Sequence, residues 1–121
     1  MGPINWIAVT AAWTVAAAAG VLFYGRRATP RPPYALHAVA ALLLFASAAM
    51  VGHMLARVGE ATLAAKPWLY AMMPGGLALT FIGPALFITA VRRERPVREA
   101  LFDGSYWLVA YLAMGAVFAL L

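Results

Sequence analysis

Charged side chains in this chain are confined to short clusters, and these clusters separate four long apolar runs. Hydrophobic residues make up 65% of the 121 residues and charged residues 11%, against about 45–50% and about 25% in soluble domains. A folded chain of this size cannot cover so much apolar surface, whereas about 20 apolar residues suffice for a helix to cross a bilayer. The pattern predicts an integral membrane protein and excludes a soluble monomer, a disordered tail and a disulfide-stapled domain.

The expected fold is all-α, a single membrane domain formed by a four-helix bundle. The predicted spans cover residues 4–24, 34–55, 67–91 and 104–121. The segment before residue 6 has no charged side chain, so the first run is interpreted as a true span rather than a cleaved signal peptide. A proline-rich loop at residues 25–33 follows it, because three closely spaced prolines cannot continue a helix.

Proline and glycine mark irregular points in the second half of the chain. Pro74-Gly75-Gly76 and Gly83-Pro84 predict a kinked third helix. A broken helix that exposes backbone groups to a transported substrate is the alternative interpretation of Met72 to Gly76. Loop three is expected to hold a short amphipathic turn at residues 97–102, with Asp103 or Ser105 capping the fourth helix.

The basic residues set the predicted orientation. Seven of the nine Lys and Arg residues lie in loops one and three: Arg26, Arg27, Arg31, Arg92, Arg93, Arg95 and Arg98. Cytoplasmic loops are enriched in such residues, so both chain termini are expected on the non-cytoplasmic side and loops one and three in the cytoplasm. The formal net charge is +5, but the cations flank spans instead of sharing one face, which argues against nucleic-acid binding.

Small residues recur at four-residue spacing on every span, and helices in lipid approach each other closely through such stripes. The predicted packing residues are Ala12, Ala16 and Gly20, then Ala48 and Gly52, then Ala85 and Thr89, then Gly115 and Ala119. Lipid and other membrane subunits, or copies of the same chain, are the expected partners. The alternative is that alanine is merely abundant.

The sequence offers little for catalysis. Glu60 and Glu94 lie in loops, Glu99 in the amphipathic turn, and Asp103 at the predicted start of the last helix. Proton-coupled carriers place ionisable groups inside the membrane, so this class is disfavoured. The chain has no cysteine, no catalytic residue is identified, no metal site is predicted, and a non-enzymatic role is expected.

His37 and His53 are the two candidate cofactor ligands, both on the second span. Their separation corresponds to about 24 Å along a helix and about 160° around it, so they cannot jointly bind one metal or one haem. The simpler interpretation is a polar side chain near headgroups, with no cofactor. In the alternative, small residues before His53 leave room for a haem or pigment, and His37 would be the second candidate.

Asn5 is expected to cap the first helix or bind headgroups. Ile4-Asn5-Trp6 and Leu22 to Gly25 at one end of the chain, with Phe102 to Leu108 and Ala113 to Ala116 at the other, resemble a small bacterial family of four-helix membrane proteins. This family is domain of unknown function (DUF) 1761. The resemblance implies four helices and a bacterial inner membrane, and it marks Asn5, Trp6, Asp103, Tyr106 and Trp107 as family-pattern positions. The family has no established activity to carry over.

Three classes of function are consistent with the sequence. A structural or accessory subunit of a larger membrane complex is favoured by the small size, the lack of acids deep in the spans and the many packing faces. An oligomeric carrier or channel using the kinked third span is the alternative, and it would need symmetric assembly. The third class is a membrane enzyme or a cofactor protein, such as a haem- or pigment-binding protein, that uses His53 or His37.

Overall fold

The computed structural model describes residues 4–25 and 34–121, and the predicted proline-rich loop (loop one) lies outside these ranges except for Gly25. The helices are α1 (Trp6–Tyr24), α2 (Tyr34–Val58), α3 (Glu60–Ala65), α4 (Leu69–Leu77), α5 (Gly83–Arg92) and α6 (Val97–Leu120), with a π-helical segment at Ala78–Ile82. Within the described ranges, four helices are long and apolar enough to cross a membrane. They are the first span (Trp6–Tyr24), the second (Tyr34–Val58), the third (Leu69–Arg92) and the fourth (Val97–Leu120). The predicted all-α, four-span membrane fold is confirmed.

The fourth span is the centre of the bundle. It packs extensively against the first and third spans, while the second span packs mainly on the first. Successive spans run in opposite directions, so residues next to loops one and three share one end, here called the loop end. The opposite end, near Asn5 and Leu120, is called the terminal end. The second and third spans share little contact, although they are neighbours in sequence.

Small residues allow the close contacts at the core. Ala12, Ala16 and Ala48 are fully buried, and so is Met114 of the fourth span. A Cβ atom on Gly52 would lie 2.9 Å from Phe118 Cζ and 3.0 Å from Val9 Cγ2. Outward-facing leucines stay exposed, which suits contact with lipid chains.

Two caps define the ends of the first and second spans. The Oδ1 atom of Asn5 accepts the backbone N–H of Ala8 at 3.1 Å, the capping role that the sequence predicts. The second span extends to Val58, three residues beyond the predicted end, and stops where Gly59 adopts a φ of 91°. Glycine adopts that conformation without the strain that a Cβ would cause.

The fourth span begins at Val97, earlier than the sequence predicts. Pro96 precedes it, and the expected amphipathic turn forms the first turns of this helix, with Ala100 buried and Arg98 and Glu99 exposed. The predicted capping role of Asp103 or Ser105 is therefore wrong, since both lie inside the helix. Charged residues such as Arg98 and Glu99 are typical of loops, but a helix that emerges at headgroup level also tolerates charge there.

The third span is irregular, as predicted. Pro74 lies inside α4, and the π-helical segment directly precedes Gly83-Pro84. Proline lacks the N–H donor, and in a regular helix its ring clashes with the carbonyl four residues earlier. The wider π turn relieves this clash, and Gly83 donates its N–H to the Ala78 carbonyl five residues back.

Candidate functional site

An open cleft of about 710 Å³ lies between the second and third spans, with the fourth span as its floor. It is the candidate site because it combines an apolar interior with charged side chains at one end. The lining residues are Ser47, Phe81, Ile82, Ala85, Leu86, Thr89, Ala90, Arg93, Arg95, Glu99, Ala100, Asp103, Trp107 and Tyr111.

The cleft exists because the second span is held against the first. The indole Nε1 of Trp13 donates to the Ala41 carbonyl at 3.1 Å, and the Trp13 and Phe45 rings meet edge to face at 5.4 Å. On the opposite wall, Ala85 and Thr89 are exposed. These residues were predicted to pack against a helix, and in this chain they line the open space.

The loop end of the cleft carries two guanidinium groups and two carboxylates. Arg95 and Glu99 form an exposed ion pair of 3.7 Å. Arg93 and Asp103 have no ion-pair partner among the described residues. Among the described residues, the cleft therefore presents one cation and one carboxylate without an ion-pair partner next to an apolar interior.

Asp103 lies deeper than the sequence predicts. It is half-buried, about 9 Å along the helix axis from Val97, and the Tyr24 hydroxyl donates a hydrogen bond to its Oδ1 atom. The hydroxyl fixes the carboxylate at the level where the first span ends. An acidic group thus lines the cleft instead of capping a helix.

An aromatic cluster supports the Tyr24–Asp103 contact. The Tyr24 ring lies 5.5 Å from Phe102 and 5.4 Å from Tyr106, both in edge-to-face geometry. The Tyr106 hydroxyl also donates to the Ala16 carbonyl at 3.4 Å. Gly20 leaves room for it, since a Cβ there would lie 3.3 Å from the hydroxyl. Tyr106 is buried, so it is part of the first–fourth interface and does not face the headgroups.

The family-pattern positions fall into two groups. Asp103, Tyr106 and Trp107 lie together near the loop end, where the Tyr106 and Trp107 rings are 5.0 Å apart. Asn5 and Trp6 lie at the terminal end, and Trp6 is 56% exposed. No single site collects all five residues.

The predicted packing residues are distributed unevenly. Ala12, Ala16, Ala48, Gly52 and Gly115 are buried, and Gly20 is partly buried against Tyr106. Ala119 is exposed, contrary to the expectation that it packs. The buried stripe of the fourth span runs instead through Ala110, Met114 and Gly115.

Both histidines lie on exposed surface of the second span. The described residues contain no cluster of three or more potential metal ligands.

The unpaired Arg93 and the Tyr24–Asp103 contact are the features that sequence reasoning missed. A signal for the contact existed, because Tyr24 ends one span and Asp103 lies near the start of another, at the same membrane level.

Comparison with protein-family models, curated proteins and solved structures finds no match for this chain. The resemblance at the two ends of the chain to the DUF1761 family therefore stays a prediction. What the protein does is inferred from its own geometry.

Proposed function

We propose that this protein is a small accessory subunit of a larger membrane complex. The docking surface would be the loop-end part of the second span, residues 34–40. These seven consecutive residues are all exposed, so nearly two helical turns are accessible on every side within the described chain. This is the observation that carries the proposal.

The composition of residues 34–40 favours a protein partner over lipid alone. Ala35, Ala38 and Ala40 would let another helix approach closely. His37 is exposed among them and forms no hydrogen bond with the described residues. Polar side chains inside membranes pair with other groups, and a partner helix would supply such a group.

A photo-crosslinking amino acid at Ala38 tests this surface in cells. We expect one adduct of fixed mass with a different polypeptide. The matched control places the crosslinker at Leu79, which is 63% exposed on the third span and should capture mainly lipid. An adduct with a second copy of the chain would favour the oligomeric alternative, and absence of any protein adduct at Ala38 would contradict the proposal.

The proposed location is the bacterial cytoplasmic membrane, with loops one and three inside and both termini outside. The distribution of Lys and Arg supports this orientation. A reporter that is active only in the cytoplasm, fused after Leu121, should be inactive. Activity of that fusion would contradict the proposed orientation and support the opposite one.

The carrier or channel is a second candidate, because the π-helical segment contributes Phe81 and Ile82 to the cleft wall. Non-helical or widened backbone beside a cavity is typical of transporter sites.

Haem or pigment binding through His53 or His37 is tested by the absorption spectrum of the purified protein. Visible bands lost in His53→Ala or His37→Ala would support it, and a spectrum without such bands would eliminate it.

A further inference from the structure

We propose that the cleft binds one phospholipid whose headgroup carries both a phosphate and a primary ammonium. The phosphate would contact Arg93, the ammonium would contact Asp103, and an acyl chain would follow the apolar walls. This site is separate from the docking surface at residues 34–40. The two proposals therefore stand or fall independently.

The inner walls of the cleft suit a hydrocarbon chain. Phe81, Ile82 and Leu86 come from the third span, and Trp107 comes from the fourth. The second and third spans share little contact, so a chain can enter sideways from the bilayer. Ligand sites of this size commonly combine apolar walls with a few polar groups that fix orientation.

The charged end lies at the depth of a headgroup. The fourth span has 24 residues, which corresponds to about 36 Å of helix, whereas the hydrocarbon core of a bilayer is about 30 Å thick. Its first turns carry the exposed charges of Arg98 and Glu99, so we place the excess length of the helix in the headgroup region at this end. Asp103, about 9 Å from the helix start, lies near the boundary, and Arg93 precedes the helix on the polar side.

The charges match a zwitterion better than an anion. Arg95 is already paired with Glu99 at 3.7 Å, so among the described residues that line the cleft Arg93 is the cation offered to a phosphate. Arg presents a donor fork suited to phosphate oxygens. Asp103 uses one oxygen to accept the Tyr24 hydroxyl, and its remaining lone pairs can accept N–H donors from a primary ammonium. A purely anionic headgroup would place negative charge against Asp103.

A second groove between the third and fourth spans provides an internal comparison. It has a volume of about 610 Å³, and its lining includes Leu79, Phe87 and Leu108 but no charged residue. Acyl chains can lie in either groove. Of these two grooves, only the cleft with Arg93 and Asp103 has charged side chains that can select a headgroup, so specific retention is assigned to that cleft.

Native mass spectrometry tests the proposal on the full chain. The detergent-purified protein is titrated with an equimolar mixture of phosphatidylethanolamine, phosphatidylcholine and phosphatidylglycerol that have the same acyl chains. We expect one phosphatidylethanolamine to be retained preferentially. Arg93→Gln and Asp103→Asn should each reduce that retention about tenfold, the factor for one lost charge-assisted contact.

Matched controls separate the cleft from general surface charge. Arg98→Gln and Glu94→Gln change a nearby cation and a nearby carboxylate that do not line the cleft, and both should keep wild-type retention. Asparagine can still accept the Tyr24 hydrogen bond, so Asp103→Asn isolates the charge. Ala85→Phe fills the apolar interior and should lower retention of all three lipids, which provides a test even if a charge variant does not fold.

Several outcomes would overturn the proposal. Equal retention of phosphatidylcholine would contradict the role of the primary ammonium, and preference for phosphatidylglycerol would contradict zwitterion recognition. Equal losses of phosphatidylethanolamine retention in Arg93→Gln and Arg98→Gln would mean that general surface charge, not the cleft, retains the lipid. Unchanged retention in Ala85→Phe would place the lipid outside the cleft.

Discussion

At the scale of single residues, two glycines of the fourth span have opposite surroundings. A Cβ on Gly115 would collide with the Tyr70 carbonyl oxygen and lie 2.9 Å from Pro74 Cγ, whereas a Cβ on Gly104 would meet nothing within 4 Å. Gly115 therefore sets how closely the third and fourth spans approach. Gly104 contributes only backbone freedom, which disfavours the helix.

Gly115→Ala should lower the free energy of unfolding by about 1–3 kcal/mol, the usual cost of forcing extra volume into a packed contact. Gly104→Ala should raise it by about 0.5–1 kcal/mol, because alanine loses less conformational freedom in a helix. Reversible unfolding in detergent micelles measures both. Equal effects of the two substitutions would mean that the helix contact at Gly115 is looser than described.

Tyr24 is the residue that satisfies the half-buried carboxylate of Asp103. Tyr24→Phe keeps the aromatic contacts but removes the donor, so the free energy of unfolding should fall by about 1–2 kcal/mol. Tyr34→Phe is the control, since Tyr34 is 93% exposed, and it should have no measurable effect in the same unfolding assay. An unchanged free energy of unfolding in Tyr24→Phe would show that water replaces the hydroxyl as the donor to Asp103.

At the scale of elements, the second span is attached to the bundle mainly through the first span. The contacts between the second and first spans centre on Trp13. Its indole N–H donates a hydrogen bond to the Ala41 carbonyl, and its ring packs edge to face against Phe45. Residues 34–40 extend beyond these contacts and are exposed. The second span is therefore the one most able to open without disturbing the rest of the bundle.

Trp13→Phe removes the donor and keeps an aromatic ring at the same place. Amide exchange in the second span should rise about fivefold, which corresponds to the loss of one hydrogen bond. Exchange in the fourth span should not change. Hydrogen–deuterium exchange in micelles measures both regions, with Trp6→Phe as the exposed control; a uniform rise across the chain would show that the second span does not open separately.

The positions of the helices were more predictable from the sequence than the choice of which helices pack against each other. Apolar runs fix the number of spans, and Pro74 and Pro84 predict the irregular third helix, because these signals are local. The start of the fourth span was misplaced, since Arg98 and Glu99 are typical of both loops and helix ends at the membrane surface. Small-residue stripes do not specify which helix they meet, so neither the cleft nor the separation of the second and third spans was predictable.

At the scale of the whole molecule, the bundle consists of two hairpins joined mainly by the first and fourth spans. The contacts between them include the Tyr24–Asp103 hydrogen bond and the Tyr106–Ala16 hydrogen bond of 3.4 Å. The connection between the second and third spans (loop two, residues 59–68) contributes sequence continuity and one buried core residue, Leu63. The first–fourth interface contributes most of the packing between the hairpins.

A chain divided after Lys66 should therefore still assemble. Co-expression of the two halves and affinity purification of one should recover the other. Gly20→Leu should abolish recovery, because a Cβ at this position already lies 3.3 Å from the Tyr106 hydroxyl, while Gly76→Leu should preserve it, because a Cβ at Gly76 meets nothing within 4 Å. Failure of the wild-type halves to associate would mean that loop two, not the interface, holds the bundle together.

The pairing of the first span with the fourth also has a consequence for biosynthesis. Helices insert into the membrane one after another and associate afterwards. The first span must wait, surrounded by lipid, until the ribosome has made the fourth, since its most extensive surface has no earlier partner in the chain. The first–fourth interface can therefore form only after all four spans have been translated, and until then this face of the first hairpin is open to lipid or to other partners.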